Sequence, residues 1–201
     1  MSAMALQLVA LLAVAGDPLG PGDHSLSLKM GDVTRSYLVH VPPKHDPTKA
    51  TPVVLVLHGA GTNGAIMVSF CGLNHKADEA GFVAVYPNGT GLANLMLTWN
   101  SGGFRGKMAE GKADDVAVLD RLLDDLVTVV NVDSKRVYAT GMSNGAIISY
   151  FLASKLSDRI AAIAPVAGPM GTETCTPKRP VPVMHFHGTN DEFASFKGGP
   201  G

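Results

Sequence analysis

Cysteine is nearly absent from this sequence. Cys71 and Cys175 are the only two, far apart and outside any CxxC pair, which excludes the usual zinc and dithiol redox motifs. They read as separate, partly buried thiols, with a disulfide open only to an exported chain. An excess of basic charge is also lacking. The net charge is -1, so nucleic acid and anionic membrane surfaces are poor partners. No apolar run is long enough to span a bilayer. Charged residues make up only 16% of the chain against 46% hydrophobic ones, a balance that buries a core and argues against disorder. There is no internal repeat, low-complexity tract or interdomain linker, and the 201 residues suit one domain.

Glycine and proline are plentiful, at 23 and 13 residues, which predicts many tight turns. Residues 1–15 are expected to form a secretory signal peptide. Their short apolar run ends in Ala13-Val14-Ala15, a small-x-small cleavage site, although no Lys or Arg precedes it. The alternative is a buried or frayed N-terminal helix. Residues 16–201 then form the folded domain.

Ser25 to Met30 and Arg35 to Val41 alternate around Gly31-Asp32, as an antiparallel hairpin does. Val53 to Leu57 and Phe82 to Tyr86 are continuous apolar runs, suited to parallel strands buried on both faces. A helix is expected over Leu73 to Ala80, with Gly81 as its C-cap. Helical spacing runs from Asp114 to Val130, with Asp114 and Asp115 read as helix-start carboxylates. Arg136 to Thr140, Ile160 to Val166 and Val181 to Phe186 read as further strands, with a helix over Ala146 to Leu156. Strands alternating with helices predict an α/β fold with a mostly parallel sheet. Thr90 to Lys112 is a long glycine-rich loop holding Trp99, of a length usually reserved for function.

Three segments carry chemistry. Gly141-Met142-Ser143-Asn144-Gly145 lies between a strand and a helix. So sharp a turn forces strained dihedrals on Ser143, demands small neighbours and lifts the hydroxyl above the sheet as a nucleophile. The alternative is an ordinary serine in a glycine-flanked turn. Acyl transfer builds negative charge on a carbonyl oxygen, which backbone N–H groups must hold. Asn144, just after the serine, is one expected donor. Ala60 in His58-Gly59-Ala60-Gly61 is the other, with Gly61 as its substitute. His58 itself reads as a structural histidine that fixes this loop. Asp191, in His187-Gly188-Thr189-Asn190-Asp191, stands where an acid that orients a catalytic imidazole belongs, with Glu192 nearest to replace it. The alternative is a turn aspartate bonding its own backbone. Trp99, Asn100 and Met142 are expected to line the acyl pocket, with simple packing of the loop as the alternative for Trp99.

These segments occur in a set order together with Tyr86-Pro87-Asn88-Gly89, Trp99-Asn100, Asp114-Asp115-Val116 and Ala164-Pro165-Val166-Ala167-Gly168. The set resembles the polyhydroxybutyrate depolymerase-like esterases, relatives of the feruloyl and acetylxylan esterases of carbohydrate esterase family 1. The resemblance runs from about Ser25 to about Phe193. It implies an α/β-hydrolase fold and hydrolysis of carboxylic esters by Ser143, without a metal or organic cofactor. It also implies secreted bacterial proteins acting on aliphatic polyesters or plant cell-wall esters. A non-catalytic ester-binding module and a serine peptidase of the same fold are the alternatives.

The family's catalytic histidine follows the acid. None of the seven histidines here follows Asp191. The domain is therefore expected to be incomplete at its C-terminus, with the last strand and helix missing. Two alternatives stay open: a resident histidine substitutes, His187 first, or a second chain supplies the base. The sheet edge at Val181 to Phe186 is expected to favour self-association.

Overall fold

The computed structural model describes residues 17–92, 96–101, 114–172 and 174–199. The expected leader and part of the long loop lie outside these residues. The predicted hairpin forms as β1 (Gly22–Met30) and β2 (Val33–Val41), paired antiparallel from Gly22↔Val41 to Met30↔Val33. Gly31 turns the corner at φ 59, in the left-handed region that glycine enters without steric cost. The buried runs become β3 (Thr51–Leu57) and β4 (Val83–Pro87), followed in the sheet by β7 (Val132–Met142) and β8 (Ala162–Val166). The six strands lie in the order β1-β2-β4-β3-β7-β8. β2 pairs antiparallel with β4, while β3, β4, β7 and β8 are mutually parallel. A small separate hairpin joins β5 (Thr90–Leu92) to β6 (Met96–Thr98).

Period-two alternation divides the core between the two faces of the sheet. Val53, Leu55 and Leu57 pack with Val83 and Val85 against α3 (Asp115–Leu126) and α4 (Asn144–Lys155). Val56, Ala84 and Tyr86 pack on the other face, with Met67 of α1 (Gly64–Cys71) and Ala77 of α2 (Leu73–Ala80). α2 ends at Gly81 as expected, at φ 75. α3 begins where the two aspartates stand. Asp114 is its N-cap and accepts from the Val116 and Ala117 amides. The helix stops at Leu126 rather than Val130. There the amides of Thr128 and Val129 bond three residues back, to Asp125 and Leu126. The β-branched run Val127 to Val130 favours this tightened final turn over further α-helix.

The last expected strand differs more. Val181 to Phe186 meets β8 only through two isolated parallel bridges, Ile163↔Val183 and Val166↔Phe186. The bonds around them keep one register: Ile163 N to Pro182 O, Met184 N to Ile163 O, Phe186 N to Pro165 O and Ala167 N to Phe186 O. The missing rung is the one that Pro165, which has no N–H, would donate to Met184. Both cysteines are free, Cys71 half-buried and Cys175 exposed. Among the described residues no helix is long and apolar enough to cross a membrane.

Candidate active site

Because β3, β4, β7 and β8 are parallel, the loops that follow them meet at one edge of the sheet, where open α/β sheets hold ligands. The pairing of Leu57 with Gly141 brings the loop after β3 beside the turn after β7. Ser143 occupies that turn at φ 54 and ψ -116, a region forbidden to most L-residues. Its N–H donates to Val166 O at 2.9 Å, and its C=O accepts from Ala146 and Ile147 at 2.9 and 3.1 Å. Its neighbours must be glycines for a concrete reason. A Cβ on Gly145 would stand 2.1 Å from Leu57 O, and one on Gly141 2.5 Å from Gly145 O. Gly168, after β8, is equally confined, with a Cβ there 2.3 Å from Ser143 O.

The loop His58-Gly59-Ala60-Gly61 lies against this turn, since a Cβ on Gly59 would be 3.8 Å from Ser143 Cβ. The Ala60 N–H has no acceptor among the described residues. The Gly61 N–H, the considered substitute, is taken by Leu97 O at 2.8 Å. Asn144 opens α4, so its N–H is among the first-turn groups without a helical partner.

The Asn144 side chain does more than the sequence indicated. It is buried, and its Oδ1 accepts from Trp99 N at 2.6 Å and Thr98 Oγ1 at 3.1 Å. Its Nδ2 donates to Ser101 Oγ at 2.8 Å and Trp99 O at 3.3 Å. The elbow thereby clamps residues 98–101. Trp99, expected as a pocket wall, is only 2% exposed. Its ring packs on His58 at 4.7 Å and its Nε1 donates to His58 O at 2.8 Å. The packing role therefore describes Trp99, while Asn100 and Met142 keep exposed surface. Asn100 N donates to Asp115 Oδ2 at 2.6 Å. Asp115 is buried and pairs with Arg35 of β2 at 3.2 Å. Burial raises its carboxyl above the usual range, against the pull of the Asn100 N–H and the Arg35 guanidinium.

His58 is fully buried. Its Nε2 accepts from Gly89 N at 3.0 Å, so the proton sits on Nδ1, which donates to Gly59 O at 2.8 Å. Burial lowers its pKa to about 4, keeping the ring neutral. The structure thus places His58 as a loop-fixing histidine.

Asp191 caps a local turn and also lies near an imidazole. Oδ1 accepts from Phe193 N at 2.9 Å and Ala194 N at 2.8 Å, a local turn. Oδ2 faces His187 Nε2 at 3.4 Å. The Ala194 N–H, then the Phe193 N–H and the His187 ring, hold the carboxyl below its usual range. His187 is engaged at both nitrogens, by Ala194 O at 2.6 Å and His185 Nε2 at 3.0 Å, and His185 Nδ1 meets Tyr150 Oη at 2.8 Å. No described side chain hydrogen-bonds to the Ser143 hydroxyl. The structure thus gathers Ser143, Asn144, Ala60 and Trp99, and separately pairs Asp191 with His187.

Thr98, Ser101 and Arg35 were not singled out by sequence reading. Thr98 and Ser101 flank the Trp99-Asn100 pair, which was the available signal. Arg35, in an alternating strand, gave none.

The fold is that of the α/β-hydrolases. A thermostable esterase of known structure superimposes with a TM-score of 0.68 at 17% identity, covering 87% of this chain and 48% of its own. The family described as esterase PHB depolymerase matches residues 35–196, and the chain belongs to it. A bifunctional acetylxylan esterase/xylanase of Neocallimastix patriciarum is 32% identical over 160 residues, 79% of this chain and 22% of that protein. Feruloyl esterase B of Piromyces equi is 28% identical over 170 residues, 82% of this chain and 31% of that protein. The chain therefore spans less than half the length of each of these relatives.

Proposed function

We propose that this chain carries the nucleophile and oxyanion site of a secreted carboxylic ester hydrolase. Ser143 attacks the ester carbonyl, and the N–H groups of Ala60 and Asn144 hold the oxyanion. The ester C–O bond then breaks, the alcohol leaves with the proton taken from Ser143, and water hydrolyses the acyl-enzyme on Ser143 to the free acid. Asp191 orients the imidazole that serves as base, with His187 the nearest candidate in the chain. The substrate class is an aliphatic polyester or a plant cell-wall ester of feruloyl or acetylxylan type, by analogy with the named relatives. The observation that carries this reading is the positive-φ Ser143, seated beside a loop whose Ala60 N–H has no acceptor among the described residues.

The test is hydrolysis of p-nitrophenyl acetate by the chain and by Ser143→Ala. Turnover above the uncatalysed rate is expected from the first and not from the second. Equal rates would sink the proposal. The magnitude of turnover reports on the base. Loss of the histidine from a complete triad costs on the order of 10⁶ in rate.

A second reading, an ester-binding module without turnover, is favoured by two observations. Both His187 nitrogens are occupied, and no described side chain bonds to the Ser143 hydroxyl. Saturable binding of an aryl ester without product release marks that outcome.

A further inference from the structure

We propose that His58 and Thr62 are positioning residues that lock the Gly59–Ala60 peptide and so aim the Ala60 N–H at the reacting oxygen. This rests on the reading of Ser143 and Ala60 given above. The Gly59 carbonyl and the Ala60 N–H belong to one planar trans unit and point in opposite directions. Whatever fixes the oxygen therefore fixes the N–H.

Three donors converge on that oxygen. His58 Nδ1 and Thr62 Oγ1 each approach to 2.8 Å, and Thr62 N to 3.3 Å. A carbonyl oxygen has two lone pairs, so it is fully committed. The opposite end of the same peptide, the Ala60 N–H, has no acceptor among the described residues. A donor held in place but unused is the condition for preorganised oxyanion stabilisation.

Both locking residues are themselves held. Gly89 N donates to His58 Nε2 at 3.0 Å, which dictates the tautomer that points Nδ1–H at Gly59. A Cβ on Gly89 would stand 2.4 Å from Thr98 O, so that donor has little freedom to move. Thr62 is bridged to β6: Leu97 N donates to Thr62 O at 3.1 Å, and Gly61 N donates to Leu97 O at 2.8 Å. That bridge also removes the Gly61 N–H from competition with Ala60.

The two proposed oxyanion donors are joined as well. The Asn144 side chain binds Trp99 N, and Trp99 Nε1 binds the main-chain oxygen of His58. A displacement of either donor is thus transmitted to the other through Trp99.

Thr62→Val removes the hydroxyl donor at nearly constant volume, and Thr62→Ser keeps it. His58→Ala opens a buried hole and is less informative. Two readouts apply. The first is kcat and KM for p-nitrophenyl acetate. The second is a titration with phenylphosphonate, a tetrahedral anion, followed at the Ala60 and Asn144 amide resonances. Thr62→Val is expected to lower kcat about fivefold to tenfold with KM unchanged, and to weaken phenylphosphonate binding by a similar factor. Thr62→Ser is expected to match the parent. The proposal is overturned if Thr62→Val equals the parent in both readouts, or if KM alone rises. If no ester is turned over but the anion still shifts Ala60 and binds Thr62→Val more weakly, the esterase reading fails and the peptide lock stands. If turnover depends on Ser143 while Thr62→Val is silent, the lock fails and the esterase reading stands.

Discussion

Two histidines respond to acid with opposite signs. His58 is held neutral, with a pKa of about 4 against an ordinary 6.5, because burial penalises its charge. Between those values the unfolded chain binds the proton and the fold does not. Stability from His58 is therefore complete above 6.5 and declines as pH falls towards 4. The slope is about 1.4 kcal/mol per pH unit in that window. His40 behaves in reverse. Burial opposes its charge, but bonds to Asp78 at 2.9 Å and Asp23 at 2.6 Å prevail and raise its pKa. Its contribution is full at low pH and is lost as pH rises through the raised value. Urea unfolding of the parent and of His58→Asn at pH 7, 5.5 and 4.5 checks the first effect. The gap between the two proteins is expected to narrow as pH falls, and a constant gap would show that His58 is not the titrating group. Unfolding of His40→Gln should show the opposite trend, with the gap narrowing as pH rises through the raised value.

One buried ion pair ties the start of α3 to β2, beside the helix's buried leucines and its Tyr37–Asp125 and Arg159–Asp120 contacts. Asp115 receives the Arg35 guanidinium from β2 and the Asn100 N–H from the loop after β6, while the same guanidinium also binds Thr90 Oγ1 of β5. Asp115→Ala leaves Arg35 buried and uncompensated, and is expected to cost about 3 to 5 kcal/mol. Replacing both partners, as in Asp115→Leu with Arg35→Met, should recover much of that loss in thermal unfolding. A single variant as stable as the parent would mean the pair carries no load. Such contacts explain what was legible in the sequence and what was not. α3 was readable because Leu119, Leu122, Leu123 and Leu126 repeat at helical spacing and are all buried. β3 and β4 were readable from their unbroken apolar runs, and the elbow from glycines that admit no Cβ. α1 was not, because Ile66 and Phe70 face outward at 48% and 65% exposure and leave no stripe to read. The Asn144 clamp and the Arg35–Asp115 pair join residues about 45 and 80 positions apart, and no local pattern encodes such a meeting. The break at Pro165 was written in the sequence, but its effect depends on a register that only pairing defines.

At the scale of the whole molecule, the two sides of the sheet end differently. On the hairpin side, β1 carries Asp23 and Lys29, charges of the kind that blunt an edge. On the other side, Pro182 O, Met184 N and the Phe186 N and O face β8 and Ala167, so the main-chain groups of Val183 and His185 point outward. Large apolar side chains are exposed around that edge: Val183 at 49%, Met184 at 65%, Phe186 at 50%, Phe193 at 94% and Phe196 at 56%. Unpaired strand groups and an apolar patch together favour pairing with another extended chain. A second copy presents the same edge and the same patch, so a two-fold arrangement satisfies both at once. The 201-residue chain is therefore expected to self-associate in solution. Light scattering across a concentration series should show the mean mass rising. Met184→Lys, which places a charge on the edge without touching the Ser143 elbow, should shift the series towards monomer. Mutation of Asp32, on the β1–β2 turn at the far side of the sheet, should leave it unchanged. A single monomeric species at high concentration would mean that residues 181–196 cover their own edge.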